Sequence, residues 1–321
     1  MSKKSLTIGT YQIHNDLYPI LSESWKRGFH FVDTAPNYRA GNAHLELNQC
    51  IEAALSDGLI RSPKAITIST KVGFIPKTQK KFLIEKGIVN EQDTFQFHNL
   101  SNKYIRYEID NIINSFRHTN LETIFLHNPE TQLNIRNYDE VLTLVKCGFE
   151  ILEECVQQGK IKSYGVATWS AFEKNNKGGY FKVHDFLEIA EKVGGSQHHF
   201  KVIQFPINLL KLSPLLEYLN ESGPLWEATN YNIDVHVSSP LFGGELFKKL
   251  PKEIANIIEP GASLSQAALL FSRSHPSVKR LLTSPSTLSQ LNDTLFIEGM
   301  EDIPLDKLLE ITQLLYKENI R

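Results

Sequence analysis

Short apolar, β-branched runs punctuate the chain at regular intervals. They begin at Leu6 (LTIGT), Phe29 (FHFVD), Ala65 (AITIST), Leu121 (LETIFLH), Ile161 (IKSYGVA), Phe200 (FKVIQF), Asn232 (NIDVHVSS) and Val278 (VKRLLTS). Each is almost continuously apolar, the pattern of a strand covered on both faces. Between the runs, apolar residues recur at helical spacing. Leu17, Ile20, Leu21 and Trp25 share a face, as do Leu47, Ile51, Ala54 and Leu55, and Ile105, Ile109, Ile112 and Phe116. Val141, Leu144, Val145 and Gly148 lead into Ile151 and Leu152. Phe186, Ile189, Ala190 and Val193 follow, then Leu264, Ala267, Ala268 and Phe271. Ser101, Ser213 and Ser263 stand where helix N-caps are expected, and Gly28, Gly58, Gly159 and Gly194 where helices end.

Strand and helix thus alternate eight times along 321 residues. That alternation predicts parallel strands with helical crossovers, in an open doubly wound sheet or a closed barrel. An open dinucleotide-binding sheet carries a Gly-rich turn after its first strand. Here that strand ends Gly9-Thr10-Tyr11-Gln12, without GxGxxG, and no GxxxxGK[ST] occurs. The prediction is an α/β protein, one (β/α)8 barrel domain over residues 1–321. It carries a long loop between Lys71 and Ser101 and an extra C-terminal helix, Leu305 to Lys317, across the barrel wall or its lower end. Loops of that length are commonly functional.

Composition narrows the partners. The net charge of -2 favours neither nucleic acid nor an anionic membrane surface. The lysines between Lys77 and Lys86 read as a solvated loop. Cys50, Cys147 and Cys155 lack metal spacing and read as buried free thiols, and no metal site is expected. No apolar run reaches membrane-span length and no signal-peptide pattern opens the chain. The expectation is a cytoplasmic protein, monomer or homo-oligomer, acting on a small molecule.

In such a barrel the chemistry gathers at the C-terminal strand ends. Thr10 and Tyr11 follow strand one; Asp33 and, five on, Tyr38 follow strand two. Lys71 ends strand three, and His127 ends strand four ahead of Asn128, Pro129 and Glu130. Thr168 and Trp169 follow strand five, Gln204 and Asn208 strand six. Ser238, Ser239, Pro240, Gly243 and Gly244 follow strand seven, and Ser284, Pro285 and Ser286 strand eight. Four of these make an acid–base device. A phenol is a poor acid or base at neutral pH, and a neighbouring ammonium lowers its pKa. A carboxylate beside a buried lysine keeps that lysine charged. Asp33 can do this for Lys71, Lys71 can tune Tyr38, and His127 can orient a carbonyl oxygen beside the phenol.

Those same segments resemble the aldo-keto reductase superfamily, from Ile8 to about Leu295. FVDTAPNY is similar to the family's DTA-x-x-Y signature. ISTKVG carries what looks like its lysine, and FLHNPE its histidine. YGVATWS resembles the GVSNxS segment, VIQFPIN the VQxxYN segment, and SSPLFGGEL the loop after strand seven. The long loop and the HNPE sequence look most like the aldose and galactose dehydrogenase branch. The resemblance implies NADP(H), favoured over NAD(H), laid across the barrel mouth, and a carbonyl or alcohol substrate. It implies catalytic roles for Asp33, Tyr38, Lys71 and His127. It also implies cofactor contacts from Gly9, Thr10, Tyr11, Asp33, Thr168, Gln204, Ser238, Ser239, Leu241, Gly243, Ser284, Ser286 and Gln290.

Several cofactor positions depart from the family pattern. Ala167-Thr168 replaces a Ser-Asn pair, so a hydroxyl is left for one carboxamide contact. Ser238 cannot stack on a ring. The run TSPSTLSQL offers a 2′-phosphate no cation, and Lys279 and Arg280 lie earlier on the strand. The chain also reaches its first strand at Leu6, leaving little length for a hairpin across the barrel bottom. Two readings stand: a nicotinamide-dependent oxidoreductase, and a barrel of this family with a weakened dinucleotide site, serving in binding, regulation or cofactor-independent acid–base chemistry. Phe74, Phe95, Phe97 and Trp226 are expected to pack loops, and His98 to lie at the surface.

Overall fold

The structure is a computed structural model and describes residues 5–174 and 180–319. Its strands are β1 (Ser5–Gly9), β2 (Phe31–Asp33), β3 (Thr67–Val72), β4 (Asn120–His127), β5 (Ser163–Ala167), β6 (Phe200–Pro206), β7 (Asp234–Ser238) and β8 (Val278–Thr283). They close into one parallel barrel in chain order, and β8 returns to β1 with Ser5 opposite Arg280 and Ile8 opposite Thr283. Early helices are α1 (Tyr18–Lys26), α2 (Ala43–Ser56), α3 (Lys80–Glu85), α4 (Asn102–Phe116), α5 (Tyr138–Gln157) and α6 (Val183–Gly194). Later ones are α7 (Ser213–Leu219), α8 (Gly223–Asn230), α9 (Leu246–Lys249), α10 (Ile254–Ile258), α11 (Leu264–Arg273), α12 (Leu288–Phe296) and α13 (Leu305–Asn319). The extra helix α13 packs against α7 on the outer ring.

All eight apolar runs form strands, because each buries one face against helices and the other inside the barrel. Ser263 caps α11 through a reciprocal bond with Gln266, and Asn137 caps α5 in the same way with Glu140. Ser101 precedes α4 but makes no capping bond, and Ser213 is already inside α7 after Leu212. Gly28, Gly58 and Gly159 take left-handed conformations after their helices. At the end of α6 that conformation falls to Gly195, with φ 66°, and Gly194 remains helical. Cys50 and Cys155 are buried, whereas Cys147 is half-buried.

The barrel is plugged midway by Phe125, Ala167 and Val202, with His236 edge-on to Phe125. Gly165 sits where β5 and β6 shift register, and a side chain there would collide with the Val202 carbonyl oxygen. Two cavities lie on either side of the plug and share no lining residue. The long loop after β3 folds back on itself: it contains α3, and Phe74 and Phe95 each bridge to His98. Lys77 and Lys80 lie over the ring of Phe97.

One buried carboxyl sets a pH dependence. Glu108 is 4% exposed on the inner face of α4, beside Tyr104. Glu108 Oε2 and the Tyr104 hydroxyl have no hydrogen-bond partner. Burial pushes the Glu108 carboxyl up to about 7. The unfolded chain loses this proton near the ordinary Glu value, the folded chain only near 7. Stability therefore falls as pH rises between those values. Glu108→Gln removes that loss. Its unfolding free energy from urea denaturation is expected to exceed wild type by under about 1 kcal/mol near pH 5 and by roughly 3 kcal/mol at pH 8.

Candidate active site

Asp33 closes β2 with its carboxylate inside the barrel, 2% exposed. The Lys71 ammonium donates to Oδ1, while Ser69 Oγ and Gln204 Nε2 each donate to Oδ2 at 3.0 Å. Lys71 Nζ also donates to the Thr34 carbonyl at 3.2 Å. The β2–β3 register, Asp33 opposite Ser69, places Lys71 one inward position further along β3. Burial works against the Lys71 charge, but Asp33 and Tyr38 outweigh it and hold its pKa above the ordinary lysine value.

Thr34 to Asn37 turn the chain back, with Tyr38 N donating to the Ala35 carbonyl at 3.1 Å. The turn continues through Arg39 and Ala40 in left-handed conformations, φ 51° and 55°. Such backbone persists where its surroundings fix it. The Arg39 guanidinium supplies that by donating to the Ile13 and Asn15 carbonyls and to Glu46. Tyr38 comes to rest with Lys71 Nζ 5.1 Å from its ring centroid. Its neighbours are Tyr11 at 4.9 Å and His127 at 6.0 Å between centroids. Burial pushes the Tyr38 phenol up and the Lys71 ammonium pulls it down, with a net rise. The tuning expected of Lys71 is present, yet burial outweighs it, and the phenol stays protonated at neutral pH.

His127 is held neutral: burial, then Lys71 and His98, depress its pKa well below the usual histidine value. Phe74 packs edge-on against both His127 and His98, at 4.9 and 4.7 Å. His98 is not at the surface. It is fully buried, its Nε2 donates to the His127 carbonyl at 2.7 Å, and Gln132 Nε2 donates to its Nδ1 at 2.9 Å. That pattern fixes its tautomer and anchors the end of β4. The long loop therefore supports the position of His127, a connection that no spacing between residues 98 and 127 announces.

Beside this cluster a cavity of about 500 Å³ runs from Asp33, Tyr38 and Gln204 to α12. Gly9, Tyr11, Ser238, Ser239, Leu241, Gly243, Ser284, Ser286 and Gln290, all expected cofactor residues, line it. The loop after β7 approaches it in left-handed conformations at Ser239, Phe242, Gly243 and Gly244, and Asn208 Nδ2 holds the Ser239 carbonyl at 3.0 Å. Gln12, His14, Phe247, Ser265, Asp293 and Thr294 also line it and were missed. Asp293 and Thr294 lie three and four residues beyond Gln290, one turn along the same helix face, which is the signal that would have found them.

Two expected cofactor residues are placed otherwise. Thr10 is fully buried, and its hydroxyl donates to Thr34 Oγ1 at 2.9 Å. It braces the turn and does not line the cavity. Thr168 also lies off the lining. Its hydroxyl donates to Glu130 Oε1 at 2.6 Å and accepts from Ala171 N at 2.8 Å. One lone pair remains, so this hydroxyl can accept from a carboxamide NH2 but cannot donate to its oxygen. Glu130 also accepts from Trp169 N and Ser170 N, which makes it the anchor of the loop after β5. Among the described residues no group of His, Cys, Asp and Glu is placed to hold a metal ion, and no helix is long and apolar enough to cross a membrane.

The profile of the aldo/keto reductase family matches residues 5–307. No curated protein matches the chain significantly by sequence. Among solved structures, a glycerol dehydrogenase from Gluconobacter oxydans superposes with a TM-score of 0.66 at 16% identity, covering 97% of this chain and 91% of its own. An aldo-keto reductase from Bacillus halodurans in holo form gives 0.65 at 16% identity over the same shares. A thermostable aldo-keto reductase bound to epalrestat gives 0.60 at 17% identity, covering 96% and 94%. At these identities the likeness speaks to the fold.

Proposed function

The chain belongs to the aldo/keto reductase family, and from that premise we propose that it interconverts a small carbonyl compound and its alcohol using a nicotinamide dinucleotide. The observation that carries this reading is the connected set Asp33, Lys71, Tyr38 and His127 at one end of a cavity long enough to reach α12. The lining suits such a cofactor. Backbone in left-handed turns and the residues Ser239, Ser284 and Ser286 line a groove, and the Gln204 amide lies beside Asp33. When bound, the dinucleotide supplies or accepts the hydride.

The chain's own groups handle the proton and the developing charge. In reduction Tyr38 gives its phenolic proton to the carbonyl oxygen; in oxidation the phenolate takes it back. Lys71 stabilises that phenolate, and Asp33 keeps Lys71 charged. The neutral His127 ring has one N–H to donate to the same oxygen as a hydrogen bond, while the proton transferred comes from Tyr38. Thr10, Arg39 and His98 hold these groups in place without touching the reacting atoms.

The family resemblance favours NADP(H), but the charge of the lining supports NAD(H). A 2′-phosphate is ordinarily met by Arg or Lys. No described lining residue of this cavity is Arg or Lys, and Asp293 adds a negative charge at the α12 end. Gln290 Oε1 is engaged by Ser286 N at 2.7 Å. Lys279 and Arg280 line the opposite mouth of the barrel. Fluorescence titration is expected to show NADH binding at least about tenfold more tightly than NADPH. Gln290→Arg is expected to recover roughly 1.5–3 kcal/mol of NADPH affinity through a charge-assisted contact. Tighter binding of NADPH by the wild type would overturn this choice. Binding of neither nucleotide below millimolar concentration would favour the reading without a dinucleotide.

A further inference from the structure

We propose that the lower mouth of the barrel is a second binding site, for a small organic anion bearing carboxylate or phosphate. A cavity of about 620 Å³ opens there, across the Phe125–Ala167–Val202 plug from the catalytic cluster. It lies between the N-terminal ends of the strands, a position the proposed redox chemistry does not use.

Its charges are unevenly matched. Glu122 accepts from Arg280 at 2.6 Å, Asp234 lies 3.8 Å from Lys279, and Glu298 lies 3.7 Å from Arg273. Each lining carboxylate thus already faces a cation of the chain. Lys162 and Lys201 line the same cavity from the starts of β5 and β6, and neither has an ion-pair partner among the described residues. Two lysines are left over on the lining of one concave surface, where a local excess of positive charge raises the potential for an anion.

The interior of the cavity is also unsatisfied. His236 lines it, is 4% exposed, and its Nδ1 has no hydrogen-bond partner. A buried ring nitrogen in that condition marks a place for water or a ligand. The Arg280 guanidinium lies face-on over Phe31, 3.5 Å from its centroid, with one edge on Glu122. Its other contact, to Ser5 Oγ, is a long 3.5 Å, so donors remain to be filled. Phe29 and Phe31 give the organic body of the anion an apolar wall.

The full-length chain and its Lys162→Gln/Lys201→Gln variant can be titrated calorimetrically with inorganic phosphate and with citrate at low ionic strength. The wild type is expected to bind one equivalent of at least one of these. The double variant is expected to bind at least tenfold more weakly, with unchanged thermal unfolding and unchanged NADH affinity. Both lysines are exposed, so the fold does not depend on them. Tighter binding of phosphate identifies a phosphorylated ligand, and tighter binding of citrate a polycarboxylate. No binding of either probe at 10 mM, or equal binding by wild type and variant, overturns the proposal.

Discussion

Replacing Tyr38 with Phe is expected to lower turnover by roughly 10²–10⁴-fold, the range for loss of a positioned general acid. It should leave the dissociation constant of the nucleotide within about threefold of wild type, because the hydroxyl acts mainly in the transition state. The variant keeps the ring, and with it the packing against Tyr11 and His127. It loses only the proton that burial retains and the site where Lys71 stabilises negative charge. The sign of the pH dependence follows. Reduction needs the protonated phenol, whose pKa is raised, so its rate declines only above the ordinary tyrosine range. Oxidation needs the phenolate and gains as pH rises toward that range. Stopped-flow measurement on any accepted carbonyl checks this, and full turnover by the Phe variant would remove Tyr38 from the mechanism.

The second large effect concerns stability. Lys71 and Asp33 are each 2% exposed and directly bonded. Lys71→Met leaves the carboxylate inside the barrel without its bonded cation, with Ser69 and Gln204 still donating to it. Removing one partner of a buried pair costs about 3–5 kcal/mol. Asp33→Asn in the same chain takes away the stranded charge, so the double variant is expected to recover most of that loss. Urea unfolding of the wild type, both single variants and the double variant measures the coupling. Additive losses would mean that the pair carries no interaction of its own, and the view of Asp33 as guardian of the lysine charge would fall with it.

The barrel was legible because its strands are covered on both sides. Continuous apolar runs such as FKVIQF leave little alternative, and a polar residue ending such a run, as at Asp33, Lys71 and His127, stands out against it. Helix ends were harder. Gly194 and Gly195 are chemically alike, and only the backbone tells which one turns left. Thr10 and Thr168 sat at the expected strand ends, but a hydroxyl's partner is fixed by neighbours distant in sequence, Thr34 and Glu130. His98 looked like a surface residue because nothing local shows the loop folding back under Phe74 and His127. The charge of the cavity beside Tyr38 was half visible: the sequence showed that a base was missing, and the helix face then added Asp293.

The junction of β1 with β8 joins Ser5 to Arg280, 275 residues apart along the chain. On a ribosome, β1 emerges before β8 and must wait for its second neighbour until the intervening residues have been made. At roughly 5–20 residues per second, that interval is about a quarter of a minute to a minute. Throughout it, one edge of an apolar strand remains open to other chains. The nascent barrel is therefore exposed to misassembly until β8 emerges, and its yield in cells should be sensitive to translation speed and to chaperones that shield strand edges.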